Sequence, residues 1–226
     1  MTVPQIISIV NQKGGCGKTT TSMNALHWFG KKKTKETPSI ILIDTDEQSS
    51  SSRTIEKLEM PYEQIFDATK LGQRLVKIRD EYDYVIVDGP AGASDINRTI
   101  IMGSDLVIMP SRQYIYDVES TLHTVAFLEH AQNICRKPPI GVVFLSDVIP
   151  KVAAFREAQQ FFRSRSNQSF VFLEESIPHQ EVIGRMGNQS ASVFQIGGKD
   201  AEKMAKKYDI LFTQALEAYQ AKTEQI

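Results

Sequence analysis

Short apolar runs alternate with longer amphipathic stretches along the chain. The runs cover residues 6–10, 39–44, 84–88, 105–110, 141–147 and 169–174, and the helix-like stretches cover 19–32, 63–80, 95–102, 117–133, 152–165 and 199–221. Each apolar run is nearly continuous in hydrophobicity, which is typical of parallel strands covered on both faces. The alternation predicts a single α/β domain over residues 1–226, with a doubly wound, mostly parallel sheet flanked by helices.

Composition limits the possible partners and the cellular compartment of this domain. The formal net charge of −1 gives no overall positive field, so nucleic-acid binding would need a local basic patch. Cys16 and Cys135 form no metal-ligand pattern, and a free thiol suits a reducing compartment. The first strand-like run begins close to Met1 and no apolar run approaches 18 residues. We therefore expect a cytoplasmic protein without a membrane span.

Candidate chemistry follows three of the predicted strands at their carboxyl ends. A glycine-rich stretch, residues 14–19, follows the first strand, Asp44 and Asp46 follow the second, and Asp88 ends the third. Ligands of parallel α/β sheets bind beyond the carboxyl ends of the strands. The pattern therefore predicts one ligand site at this edge.

The glycine-rich stretch has the composition of a phosphate-binding loop. Backbone N–H groups converge on phosphate oxygens where glycines relieve crowding before a helix N-terminus, and Gly14, Gly15 and Gly17 supply that freedom. Lys18 would reach the β and γ phosphates, and the Thr19 hydroxyl would bind Mg²⁺. A plain glycine turn before a solvated helix start is the alternative. The order of strand, loop, helix and strand-terminal acid favours a P-loop NTPase type of fold.

Two residues at the front of the loop differ from the strict P-loop pattern. Gln12 stands where that pattern has glycine, and Lys13 is an additional lysine. The string KGGCGKT, residues 13–19, resembles the deviant Walker A motif KGGxGK[ST] of the ParA/MinD superfamily. Four further segments are similar to later boxes of that family: ILIDTDEQSSSS (41–52), YDYVIVDGPAG (82–92), LVIMPSRQYIYDVESTL (106–122) and SIPHQEVIGRMGNQSASVFQ (176–195).

The resemblance implies an ATPase that uses ATP and Mg²⁺. It implies that Lys13 reaches the partner's phosphates in an ATP-bound homodimer, that Lys18 binds the chain's own nucleotide, and that Asp46 orients the attacking water. Thr19, Asp44 and Asp88 would hold the Mg²⁺ shell. The full set of implied ATP-binding residues is Lys13, Gly14, Gly15, Cys16, Gly17, Lys18, Thr19, Thr20, Asp147 and Lys151.

Several positions depart from the family pattern. Glu47 replaces a usual proline, and GPAG (89–92) lacks a doubled proline. Asp147 follows Ser146 where relatives often carry an asparagine near adenine, so it could accept from the adenine amino group or cap the next helix. Lys151 could contact nucleotide in the dimer or be an ordinary surface lysine at a helix start.

Members of the ParA/MinD family bind DNA or membranes, and the sequence helps to distinguish these two possibilities. Candidate DNA-binding residues are Arg156, Arg163, Arg165, Arg185, Lys199 and Lys203, each of which could equally be a solvated surface charge. The last helix carries an apolar stripe, Met204, Tyr208, Leu211, Phe212, Ala215, Leu216 and Tyr219, whose spacing predicts core packing. We therefore expect no amphipathic membrane anchor.

The resemblance leads to a specific functional expectation. A ParA-type dimer would bind nucleoid DNA non-specifically, and a ParB-like or small adaptor protein would stimulate hydrolysis to move a plasmid or chromosome. A carboxysome-positioning ATPase of the McdA type is an alternative within the family. A dethiobiotin-synthetase-like ligase is an alternative of another class, which Lys13 disfavours because those enzymes generally lack it. A nucleotide-binding regulator without turnover is the third possibility.

Overall fold

The computed structural model of the protein describes residues 3–31, 38–47, 60–92, 94–166, 169–189 and 191–225. The described strands are β1 (Ile6–Ile9), β2 (Ile40–Asp44), β3 (Tyr62–Gln64), β4 (Tyr84–Asp88), β5 (Leu106–Ser111), β6 (Ile140–Val148), β7 (Phe170–Phe172) and β8 (Ile177–Pro178). The described helices are α1 (Lys18–Gly30), α2 (Ala68–Lys77), α3 (Asp95–Gly103), α4 (Ile115–Ile134), α5 (Ala153–Arg165), α6 (Glu181–Gln189) and α7 (Lys199–Thr223).

The strands form one sheet in the order β3-β2-β4-β1-β5-β6-β7, and β8 pairs with β6. All pairings between the described strands are parallel, so the predicted α/β fold class is confirmed. The register places Asp88 of β4 beside both Ile9 of β1 and Asp44 of β2. The loop after β1 and the two aspartates therefore meet at one edge of the sheet.

Helices cover the sheet on both faces. Ile7 and Ile9 of β1 belong to a buried cluster with residues of α1 and α7, whereas Ile6 belongs to a second cluster with residues of α2, α3, α4 and α5. Alternate residues of a strand point to opposite faces, so a continuously apolar strand fills both clusters. This is why the strands read as uninterrupted apolar runs.

The last helix packs as its stripe predicts. Each residue of that stripe is nearly or fully buried, and all of them lie in the cluster that α7 forms with α1. No helix in the described part of the chain is both long and apolar enough to cross a membrane.

One predicted helix begins in the wrong place. The segment 63–80 was expected to be helical throughout, but residues 62–64 form the edge strand β3 beside β2. The helix α2 starts only after Asp67, whose side chain caps it by accepting from Lys70 N at 2.8 Å. Residue 32 of another predicted helix, and residues 48–52 of the second sequence box, lie outside the described residues.

Candidate nucleotide-binding site

The loop between β1 and α1 adopts the strained backbone that its glycines permit. Gly15 and Gly17 have φ values of 71° and 95°, a region that other residues rarely adopt. A Cβ on Gly17 would also lie 2.6 Å from the Ser146 hydroxyl oxygen. Glycine is therefore required here both by conformation and by space. Immediately after it, α1 begins at Lys18 and presents its N-terminal N–H groups at this edge.

The two lysines of the loop occupy different environments. Lys18 is buried, with 7% of its surface exposed, and its Nζ donates to the backbone carbonyl of Lys13 at 2.9 Å. The Cys16 thiol donates to the same carbonyl at 3.2 Å, and burial raises the pKa of this thiol. The Lys13 side chain is exposed. One lysine thus lies inside the site, and the other faces solvent beside it.

A cavity of about 360 Å³ opens over this loop. It is lined by Gly14, Gly15, Gly17, Lys18, Thr19, Thr20, Asp46, Ala91, Arg112, Ser146, Asp147, Ile177, Pro178, Ile183 and Tyr208. The volume is in the range of small-molecule sites, and the lining combines cations, backbone N–H groups and apolar surface. That combination suits a ligand with a polyphosphate and a flat ring.

Two buried carboxylates lie behind the loop. Asp88 Oδ1 accepts from the Ser22 hydroxyl at 2.9 Å, while its Oδ2 is buried and has no hydrogen-bond partner among the described residues. The pKa of Asp88 is raised to about 7, chiefly by burial and also by the charge of Asp44, although hydrogen bonds from the Thr19 and Ser22 hydroxyls and the charge of Lys18 partly offset the rise. Asp44 is also fully buried, and its Oδ1 accepts from Asp46 N at 3.1 Å.

These acids fit a bound magnesium ion. Mg²⁺ prefers oxygen ligands and usually keeps several waters. Asp88 lies close to Thr19 and Asp44 and offers a buried carboxylate oxygen that is unpaired among the described residues, and a cation would offset the cost of burying its charge. The donor set of Thr19, Asp44 and Asp88 is therefore chemically suited to this ion.

Arg112 is a site residue that the sequence analysis missed. It follows β5 directly and its Nη2 lies 3.0 Å from Asp147 Oδ2. The Asp147 Oδ1 lies 2.6 Å from His179 Nδ1. Asp147 has a φ of 55° at an irregularity where β6 changes register against β8, and such bulges redirect a side chain. The sequence signals for Arg112 were its place just after a strand predicted to reach this edge and its position within the segment 106–122 that resembles a family box.

The structure brings some of the other candidates to the site and leaves others outside it. Asp46, Asp147 and Thr20 line the cavity, whereas Lys151 is exposed in the turn between β6 and α5 and is not among the lining residues. The observed bulge also gives Asp147 two side-chain partners other than the α5 N-terminus.

The candidate DNA-binding residues are all exposed but differ in their partners. Arg156, Arg163 and Arg165 lie on α5, Arg185 on α6, and Lys199 and Lys203 on the first turns of α7. Arg163 pairs with Glu174 at 2.6 Å, and the Arg165 guanidinium lies 3.7 Å from the centre of the Phe161 ring. Lys203 approaches Asp200 at 3.7 Å. DNA binding by these residues stays a prediction.

The fold and the loop together define a nucleotide-binding α/β domain of the P-loop class. The model of the CobQ/CobB/MinD/ParA nucleotide binding domain matches residues 7–164. The chain therefore belongs to this family, as the resemblance predicted.

Individual relatives agree with the family assignment. The chain is 27% identical over 215 residues to maintenance of carboxysome distribution protein A of Gloeobacter kilaueensis, with 91% of each chain covered. It is 26% identical over 178 residues to the sporulation initiation inhibitor protein Soj of Bacillus subtilis, with 57% of this chain and 68% of Soj covered.

Solved structures share the fold. The ATP complex of an aspartate-to-alanine variant of Cyanothece McdA has a TM-score of 0.74 at 16% identity, with 96% of this chain and 97% of that chain covered. The cell division ATPase MinD of Pyrococcus furiosus has a TM-score of 0.67 at 16% identity, with 93% and 99% covered.

Proposed function

We propose that the protein is a ParA-type ATPase whose ATP-bound dimer binds DNA non-specifically and positions a cargo. The observation that carries this proposal is the pair of loop lysines, with Lys18 buried at the cavity and Lys13 exposed beside it. An ordinary P-loop needs only the buried lysine. An exposed second lysine, directly before the cavity-lining Gly14, would be available to a ligand held by another molecule.

ATP binding in the cavity would use the chain's own backbone and Lys18. The phosphates would replace the Lys13 carbonyl as the partner of Lys18 Nζ, because a charged phosphate oxygen is the stronger acceptor. Asp46, which lines the cavity, would orient the attacking water. When bound at Thr19, Asp44 and Asp88, Mg²⁺ would neutralise charge that develops on the phosphates.

Hydrolysis would then depend on dimerisation. Phosphoryl transfer is accelerated chiefly by positioning and by cations that stabilise the transition state. The partner's Lys13 would supply such a cation only in the dimer, so each site stays slow until a second copy arrives. This dependence also argues against a metabolic ligase, for which a lysine delivered by another copy has no use.

The cargo has two candidates. Segregation of a plasmid or chromosome, through a ParB-like or small adaptor protein, is the function first expected from the sequence boxes. Positioning of a protein organelle is favoured by a different observation, the match to a carboxysome distribution protein over 91% of both chains. Both use the same ATP cycle and differ in the adaptor.

The in-trans role of Lys13 can be tested by complementation. We expect Lys13→Ala to bind ATP, because the loop uses the Lys13 backbone carbonyl, which alanine retains. It should lose hydrolysis, and Asp46→Ala should lose hydrolysis as well. A mixture of the two should recover activity, since the intact Lys13 of one protomer serves the intact Asp46 site of the other. The measurement is phosphate release against the mixing ratio.

The exposed lysine Lys77, on α2, provides the matched control. Lys77→Ala should hydrolyse ATP like the wild type. If Lys13→Ala alone hydrolyses ATP normally, or if the mixture of Lys13→Ala and Asp46→Ala stays inactive although both proteins bind ATP, the in-trans mechanism is wrong.

A further inference from the structure

Arg112 places a guanidinium group directly over the phosphate loop. A Cβ added to Gly15 would lie 3.5 Å from Arg112 Nη2. The guanidinium group therefore lies next to a glycine whose backbone would face a bound phosphate. Arg112 also lines the same cavity as Lys18 and Thr19. The cations among the described residues that line this cavity are therefore Lys18, which belongs to the loop motif, and Arg112, which does not.

The present partners of Arg112 leave part of its hydrogen-bonding capacity unused. A guanidinium carries five N–H donors. Arg112 Nη2 pairs with Asp147, but Arg112 Nε is buried and finds no acceptor among the described residues. An unpaired buried donor costs free energy, and one beside an open cavity is the kind of group that a ligand satisfies.

A polyphosphate would be a better partner for Arg112 than Asp147. Arginine binds phosphate oxygens through two parallel hydrogen bonds, a geometry that lysine cannot provide. The Arg112–Asp147 pair is about one third exposed, at 35% and 33%, so water weakens it. Asp147 would keep a partner after the exchange, since His179 lies 2.6 Å from its other oxygen.

We propose that Arg112 is a second phosphate-binding residue of this site, held by Asp147 when nucleotide is absent and transferred to the triphosphate when nucleotide binds. The inference rests on the proposed ATP binding in this cavity. Each site would then use Arg112 of its own chain in addition to the partner's Lys13. Asp147 then acts as a competitor of the phosphates for Arg112.

Inorganic triphosphate carries the phosphates of ATP without the base, so its binding tests the contact between Arg112 and the phosphates alone. Binding is measured by displacement of a fluorescent ATP analogue. We expect Arg112→Gln to weaken both ATP and triphosphate by about ten-fold or more, the loss of one charge-assisted contact. The matched control is Arg136→Gln, an exposed arginine before β6 at the opposite edge of the sheet, which should bind both like the wild type.

Asp147→Asn provides a second variant in case Arg112→Gln does not fold. Asparagine tolerates the positive φ of this position as aspartate does. Loss of the competing carboxylate should tighten triphosphate binding by about two- to five-fold.

Three results would overturn the inference. They are unchanged binding of both ATP and triphosphate in Arg112→Gln, a loss in that variant confined to ATP, which would place Arg112 at the base, and weaker triphosphate binding in Asp147→Asn. Failure of the wild type to bind ATP would instead reject the proposed function and, with it, the inference.

Discussion

Burial controls the charge of His27 at the scale of a single residue. Its ring stacks on Phe194 with centroids 5.4 Å apart, and its Nε2 is buried without a hydrogen-bond partner among the described residues. Burial, with a smaller effect from the positive charge of Lys31, lowers the pKa of His27 to about 4. The folded protein therefore keeps this imidazole neutral where an unfolded chain would protonate it.

A pH-dependent loss of stability follows from this shift. The contribution of neutral His27 is fully present above about pH 6.5 and is lost as the pH falls toward 4, because only the unfolded chain gains the proton in that window. Between pH 7.5 and pH 5 we expect a loss of about 1 to 2 kcal/mol in the free energy of unfolding. His27→Phe retains a stacking ring that cannot titrate, so it should lack this part of the pH dependence in urea denaturation. Equal losses in both proteins would contradict the assignment.

Individual residues also show how far the sequence could predict the site. Gly15, Gly17, Lys18 and Asp46 line the cavity, and the sequence could predict that they lie close together because their positions follow from local order along the chain. Arg112 lies almost a hundred residues from the loop, and its position depends on β5 pairing with β1. A single sequence contains no local signal for such a contact.

At the scale of elements, continuous apolar runs were strong signals and polar edge strands were weak ones. The buried strands β1, β2, β4, β5 and β6 lie where the runs predicted. The strand β3 has the sequence YEQ, and none of its three residues is fully buried, so no apolar run marks it in the sequence. Among the described strands it pairs with β2 at the edge of the sheet. It was merged with α2 because the apolar spacing of that helix continues up to it.

Close packing of α4 on β6 depends on one glycine. A Cβ on Gly141 would overlap the Cδ2 of Leu128, which is fully buried, and would lie 3.2 Å from Met109 Cε. Because Leu128 is fully buried, its side chain must move against its neighbours to make room for the added methyl group. We expect Gly141→Ala to lower the free energy of unfolding by about 1 to 3 kcal/mol, as overpacking of a core does.

The same substitution at Gly184 is the control for this packing effect. Gly184 lies within α6, and a Cβ there would meet no atom within 4 Å. Gly184→Ala should stabilise the protein slightly, by up to about 1 kcal/mol, because alanine favours a helix. Urea denaturation measures both variants, and equal midpoints for Gly141→Ala and the wild type would show that the helix can shift freely.

At the scale of the whole molecule, the sheet separates stability from chemistry. Both apolar clusters lie between the sheet and its covering helices, while the phosphate loop, the acids and Arg112 gather at the carboxyl edge. DNA binding would need a surface of its own. Because the net charge of the chain is −1, only a local cluster of cations could attract DNA. The exposed basic residues of α5, α6 and α7 are the candidates.

A dimeric switch requires that the bound nucleotide control whether the protein binds DNA. Asp46→Ala should bind ATP without hydrolysing it, so ATP should convert this variant into a stable dimer that retains DNA, whereas ADP should not. A dimer doubles the number of basic residues on one particle, and DNA affinity should fall steeply with added salt because the release of counterions gains less free energy as the salt concentration rises. Light scattering with ATP and ADP, and DNA retention over a salt series, measure the two effects.

Substitutions in this trapped dimer would identify the DNA-contacting cations. Arg156→Gln should reduce the salt dependence by about one counterion, as the loss of a phosphate contact does. Arg163→Gln should change it less, because Arg163 is already paired with Glu174 at 2.6 Å and would have to leave that carboxylate to reach DNA. An ATP-bound Asp46→Ala protein that stays monomeric, or that binds DNA equally well with ADP, would mean that this chain does not use dimerisation to control DNA binding.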